Sequence, residues 1–253
     1  AVQHLATWLK GRGLILNERK TQILPIPPSP SQALELHVIC NGQTLPVVKT
    51  AKYLGLHFDS DMSWNTMTSH VARRVAAKIG LLNRSAACLP FSCRVQFFRS
   101  FILSEFDYAS AAYAPFLSSY QDKRLNSLFK RAARSVCRAA PRTHTAPLLE
   151  RMNAHTLSIY THMHILVFIW RCLNKSSSTL FASFFTRSPS LRTRGGSSKL
   201  LIIPVSPTAS SAKRISHAGA ILWNQLPDTA RLERKRSTFK SLSLAFLLGS
   251  TVN

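Results

Sequence analysis

Apolar and polar positions follow two different rhythms along this chain, and the change comes near Trp64. Residues 1–10 place Val2, Leu5, Ala6 and Leu9 at helical spacing, and Gly11 and Gly13 stop that helix. "LIL" (14–16) and "TQILPI" (21–26) read as two short strands around a polar turn. The proline-rich "PIPPSPSQ" (25–32) then interrupts the pattern. "LELHVIC" (34–40) alternates, and "NGQ" (41–43) is a strong hairpin signal. In "AKYLGLHFDS" (51–60), Leu54, Leu56 and Phe58 alternate with Gly55, His57 and Asp59. These residues predict a small α+β unit containing a hairpin.

After Trp64 the period becomes helical. Val71, Val75, Ile79 and Leu82 form one apolar stripe, with Arg73, Arg74 and Lys78 off it. Val95, Phe98 and Ile102 predict a second helix reaching Tyr108. A third spans 122–138. At about 100° per residue, Lys123, Arg124, Lys130, Arg131, Arg134 and Arg138 fall within an arc of about 120°. Leu125, Leu128, Phe129, Ala132 and Val136 occupy the opposite side, so one face packs and the other presents six cations. A solvated basic face is one reading; with no acidic residue interleaved, contact with phosphates is the better one. A fourth helix, 154–173, is apolar nearly all round and predicts the centre of a helical core, with His155, His162 and His164 as satisfied core or boundary histidines. The Ser-, Arg- and Pro-rich "TRSPSLRTRGGSSK" (186–199) reads as a mobile linker. "RISHAGAILWNQLPD" predicts a short helix ended by Pro227, and "STFKSLSLAFLL" a final one with Ser237 as its N-cap.

Charge changes the picture most. Lys and Arg number 33 against 10 Asp and Glu, a formal net charge of +23. Self-repulsion on that scale costs stability and points to a polyanionic partner, with nucleic acid ahead of an anionic membrane. The longest apolar run, "ILVFIW" (165–170), is core-sized, and the N-terminus lacks a signal-peptide layout. Five scattered cysteines suit a reducing compartment. Cys88 and Cys93 could be combined with His162 and His164 as zinc ligands on paper, but the spacings are loose. Among the acids only Asp59/Asp61 and Glu105/Asp107 form close pairs, one in a turn and one in a helical pattern. Neither follows a buried strand that would present it to a pair of metal ions, so no active site is read from these residues.

Three segments in order carry a family likeness: "LATWLKGRGLILNERKTQILPI", "AKYLGLHFDSDMSW" and "RISHAGAILWNQLPDTAR…STFKSL". Together they resemble the reverse transcriptases of non-LTR (LINE-type) retrotransposons, of the jockey and CR-one kind. The intervening "FRSFILSEFDYASAAYAPF…RLNSLFKRAARSV" is similar to the helical region those enzymes carry after the palm. The likeness implies an α+β remnant of a polymerase palm over 1–65, a helical thumb and connection over 66–185, and a linker with a post-polymerase segment over 186–253. The chain opens inside a helix without an initiator Met. In the family that helix follows the hairpin bearing two catalytic aspartates, so the likeness implies a fragment that starts after them.

Residue by residue, Lys20 stands at the position of the motif D lysine, which in a complete palm would act as general acid toward pyrophosphate. Alone it is a loop cation. Tyr53, Leu54 and Gly55 match the primer grip, where a backbone turn meets the primer; a strand packing beneath the thumb is the competing reading. Arg73, Arg74, Lys78 and the six cations of 122–138 would hold the template–primer backbone without reading sequence. The implied partners are an RNA template and a DNA primer, with no membrane and no small-molecule substrate. Mg²⁺ belongs to the complete parent polymerase and no cofactor to this chain, which is expected to be inactive alone. The scattered cysteines, the core-sized apolar runs and the N-terminus without a signal-peptide layout predict a nuclear or cytoplasmic chain, neither secreted nor transmembrane. The alternative is a non-catalytic basic nucleic-acid-binding protein derived from such an element.

Overall fold

The structure, a computed structural model, describes residues 2–27, 36–174, 179–188 and 199–250. Most of the proline-rich break and of the Ser/Arg-rich linker therefore lie outside the described residues. The chain is mixed α and β and mostly helical, with two small antiparallel sheets. It divides into two units, Ala1–His70 and Val71–Asn253.

In the first unit, helix α1 (Val2–Lys10) buries Ala6 against Cys40 and Leu45, with Val2, Leu16, Ile23 and Val38 around them. The Asn41-Gly42 hairpin forms as read: β1 (Ile39–Cys40) pairs antiparallel with β2 (Gln43–Thr44), and both turn residues take positive φ, at 47° and 81°. A second hairpin joins β3 (Thr50–Tyr53) to β4 (Leu56–Asp59), with Tyr53 opposite Leu56. Its turn is Leu54-Gly55, so the alternation of 51–60 belongs to two strands and a turn, not to one strand. The two strands expected around Lys20 do not form. A 3₁₀ turn, Glu18–Lys20, occupies the middle, held by the Asn17 side chain accepting from Lys20 N at 3.2 Å. Ile23 makes only an isolated bridge to Val47. The local Asn cap wins because Leu14 and Ile15 find no strand to pair with among the described residues, and Ile15 stays 92% exposed. Asp59, 7% exposed, accepts from Thr66 N at 3.1 Å and so caps the helix that follows.

That helix, α2 (Asn65–Ser85), buries Val71, Val75, Ile79 and Leu82, the stripe read from sequence. The next expected helix is three consecutive pieces: α3 (Phe91–Phe97), a π-helical stretch (Phe98–Leu103) and α4 (Ser104–Asp107). The wider π turn keeps Phe98, Ile102 and Leu103 all buried. A short α5 (Ser110–Tyr113) leads to α6 (Ser119–Cys137), which opens on a full capping box between Ser118 and Gln121. Its apolar face packs Phe129 edge-on to Phe98 and Phe106, at 5.6 and 5.7 Å between ring centroids.

Helix α7 (Ala146–Arg151) precedes α8 (Leu157–Leu173), which is central as expected, with Leu166 and Ile169 fully buried. It starts at Leu157 and not at 154, so His155 lies just outside it. Around α8 gather α9 (Thr179–Ala182), α10 (Ala209–Ala212), a π-helical turn (Ile215–Gly219), α11 (Ala220–Asn224), α12 (Asp228–Leu232) and α13 (Arg236–Ser250). Ser237 falls inside the first turn of α13 and is not its N-cap; Phe239 N bonds Lys235 O at 2.9 Å. At the described start of the linker Arg187 bridges Leu201, just beyond it.

The "WNQLP" segment is a clamp. Trp223 is fully buried against Phe239, and its indole N–H donates to Lys199 O at 2.9 Å. Asn224 bonds the backbone of Leu201 in both directions, each at 2.9 Å. Trp170 also stacks on Phe239, and its indole N–H donates to Glu233 O at 2.9 Å. Burying each of these aromatics contributes about 2–3 kcal/mol, which holds the C-terminal helices against α8.

Candidate nucleic-acid interface

Helix α6 positions the site. Leu125, Phe129, Ala132, Ala133 and Val136 are buried, which fixes the helix's rotation about its axis. Lys123, Arg124, Lys130, Arg131 and Arg138 are exposed on the other side, and Arg134 is half-buried. Lys123, Lys130, Arg131 and Arg138 make no ion pair with any described carboxylate. The end of the helix is held by Arg94, which is 9% exposed and donates to Val136 O at 2.7 Å, to Ala86 O and to Leu89 O. A buried guanidinium at a helix C-terminus also complements its macrodipole.

A groove of about 530 Å³ opens between α6 and the end of α2. Arg131, Arg134 and Arg138 line it, with the hydroxyls of Ser127 and Ser135 and the carboxamide of Asn83. No carboxylate is among its lining residues. Arg134 Nε is spent on Thr143 O at 2.9 Å, which ties the guanidinium in place over the loop after the helix. Arg138 is the C-cap and takes a left-handed conformation, φ 53°. That costs a non-glycine residue about 1 kcal/mol. The arrangement suits anionic oxygens, since three guanidiniums supply paired donors and the hydroxyls and amide add neutral ones.

The other expected contacts have different surroundings. Arg74 and Lys78 converge on Glu105 of α4. Arg74 donates to both carboxylate oxygens at 2.7 Å, and Lys78 donates to Glu105 and to Phe101 O. Partial burial pushes the Glu105 carboxyl up, but the hydrogen bonds from Arg74 and Lys78 outweigh it and hold the pKa below its ordinary value. The same pairing raises Arg74. Arg73 remains exposed. In the first unit Lys20 is exposed on its 3₁₀ turn. Tyr53 (68% exposed) and Leu54 (75% exposed) stand with Gly55 at the tip of the β3–β4 hairpin. A backbone turn does form there, at Leu54 (φ 46°) and Gly55 (φ 82°).

Asp59 caps α2. Asp61 accepts from Ser63 N at 3.0 Å, which lowers its pKa. Asp107 is pushed up to about 6 by burial, and lies 4.0 Å from His164 Nε2. The other ring nitrogen of His164 is 2.8 Å from the Ser110 hydroxyl, and burial lowers the pKa of both His162 and His164. Among the described residues no three His, Cys, Asp or Glu side chains come together as a metal ion requires. Cys88 and Cys93 are exposed free thiols.

Sequence reasoning missed Asn83, Ser127 and Ser135. Ser127 lies within the cationic arc of α6 and Ser135 at its edge, so both could have been read from helical spacing. Asn83 lies on a different helix, and no local signal connects it to them. Compared with models of protein families, with curated proteins and with solved structures, the chain matches none. Among the described residues no helix is long and apolar enough to cross a membrane.

Proposed function

We propose that this chain binds the sugar–phosphate backbone of nucleic acid, without reading sequence, through the arginine groove and outer face of α6. The observation that carries the proposal is the groove itself: Arg131, Arg134 and Arg138 around one concavity that no carboxylate lines. The net charge of +23 supports it by drawing polyanions to the surface. The likeness to non-LTR reverse transcriptases names the parent activity, RNA-directed DNA polymerisation, and the ligand, a template–primer duplex. In that setting Tyr53, Leu54 and Gly55 meet the primer end, and Lys20 serves only within a complete palm. A stand-alone nucleic-acid-binding protein of the same descent uses the same groove.

Fluorescence anisotropy with a labelled RNA–DNA hybrid, in two unrelated sequences and over a salt series, tests the reading. Lys123, Lys130, Arg131, Arg134 and Arg138 give five phosphate contacts, so the expected slope of log K against log salt is roughly −4 to −5. The two sequences are expected to bind within a factor of two or three of one another. A flat salt response, or equal binding after the groove arginines are reversed in charge, rejects the site. Primer extension by the isolated chain with Mg²⁺ rejects the expectation that it is inactive alone.

A further inference from the structure

A second concavity, of about 550 Å³, has the opposite character to the groove. Its size falls in the range of pockets that enclose small organic ligands. Alanines of α5, Ala111 and Ala112, line it together with Phe116, Phe168, Phe181 and Phe184. The rings are already arranged: Phe168 and Phe181 meet edge-to-face at 5.8 Å and 73°. Phe181 and Phe184 are 42% and 47% exposed, so their rings are open to a ligand. Only Arg214 and Ser216 bring polar side chains to the lining. Arg214 is exposed and pairs with no described carboxylate.

The lining decides what fits. A nucleobase would lose the hydrogen bonds of its polar edge to water and regain none from phenylalanine and alanine, a loss for each unmatched group. A hydrocarbon body loses nothing there and gains the apolar contact. The one guanidinium, with a hydroxyl beside it in the lining, matches a single planar anion, and carboxylate is the group whose two oxygens fit its fork. We infer that this pocket binds an amphiphilic carboxylate, a fatty-acid-like monoanion, with its chain among the phenylalanines and its head on Arg214. The site shares no residue with the arginine groove and does not rest on the nucleic-acid reading.

Calorimetric titration of the full chain with monomeric decanoate, below its micelle concentration, tests this. One equivalent is expected to bind, and decanol, which keeps the chain and lacks the charge, at least tenfold more weakly. Arg214→Gln is expected to remove that difference. Ala112→Phe, at an exposed alanine, is expected to fill the pocket and abolish binding of both while leaving RNA–DNA hybrid binding unchanged. Decanoate binding equal to wild type in Ala112→Phe overturns the site, as does displacement of decanoate by the hybrid. Association with phosphatidylserine vesicles and none with monomeric decanoate also overturns it, because the ligand would then be a lipid surface.

Discussion

Helices α2 and α6 are both amphipathic and both rich in cations, yet their cations have different fates. On α2, Arg74 and Lys78 lie within reach of Glu105, and their charge is spent joining α2 to α4. On α6, the arginines at positions 131, 134 and 138 line a groove that holds no carboxylate. A cation already paired has less to gain from a phosphate, because contact must first break a bidentate hydrogen bond. Counting basic residues on helices thus overstates a binding surface; the count that matters excludes those with a carboxylate partner. Arg94 shows a third fate, a buried guanidinium bonded to three carbonyls at the end of α6.

Charge reversal separates the two helices most widely. Arg131→Glu with Arg134→Glu and Arg138→Glu is expected to weaken hybrid binding roughly a thousandfold at moderate salt and to flatten the salt slope by about three. Arg74→Gln with Lys78→Gln is expected to change affinity less than threefold. Anisotropy on both variants, with circular dichroism as a check on folding, erases the distinction if the two are alike. Next in size, Arg94→Met strands three carbonyls and loosens the end of α6. Urea denaturation is expected to show a loss of about 2–4 kcal/mol, larger than for either α2 cation.

Glu105→Gln is expected to cost about 1–2 kcal/mol and to raise hybrid affinity a few-fold, since it releases two cations. Its pH signature follows from a carboxyl held below its ordinary 4.5. The contribution is present above pH 4.5 and is lost as pH falls through the lower folded value, so the Gln variant lacks this acid-side loss. Arg138→Gly is expected to separate folding from binding. Removing the left-handed non-glycine residue raises stability by about 0.5–1 kcal/mol, while loss of the cation weakens the hybrid complex about fivefold. Both changes in the same direction would show that Arg138 is a structural cap and nothing more.

The smallest effect belongs to Asp107, two residues beyond Glu105 but without its cations. Its carboxyl is raised from 3.8 to about 6 by burial. Below pH 3.8 both folded and unfolded states are protonated and the contribution is full; it declines as pH rises and is gone above about 6. Asp107→Asn, followed by thermal melts across that window, is expected to match wild type near pH 4 and to exceed it slightly at pH 7.

The features legible in the sequence are the local ones. Helix faces follow from a period of 3.6, so the buried side of α6 and its six-cation arc can be drawn from residue spacing alone. Asn41-Gly42 makes its own turn, since both residues tolerate positive φ. The strands expected around Lys20 failed because a strand exists only by pairing. Ile23 found a single bridge, while Asn17 had a local alternative in its own cap. The α+β character stood, but the alternation in 51–60 hid a turn.

Charge and period are properties of neighbours in the chain. A strongly basic, mostly helical protein with one sharply divided helix surface therefore follows from the order of its residues. Which cations remain available is a matter of packing. Glu105 lies 31 residues from Arg74 and 27 from Lys78, and contact at that separation leaves no trace in local pattern. The same holds for the groove, where Asn83 of α2 joins the arginines of α6, and for the apolar pocket, whose alanines, phenylalanines and single arginine come from separate stretches of chain. A site is a coincidence of distant residues in space, and it is long-range burial of apolar surface that brings them together.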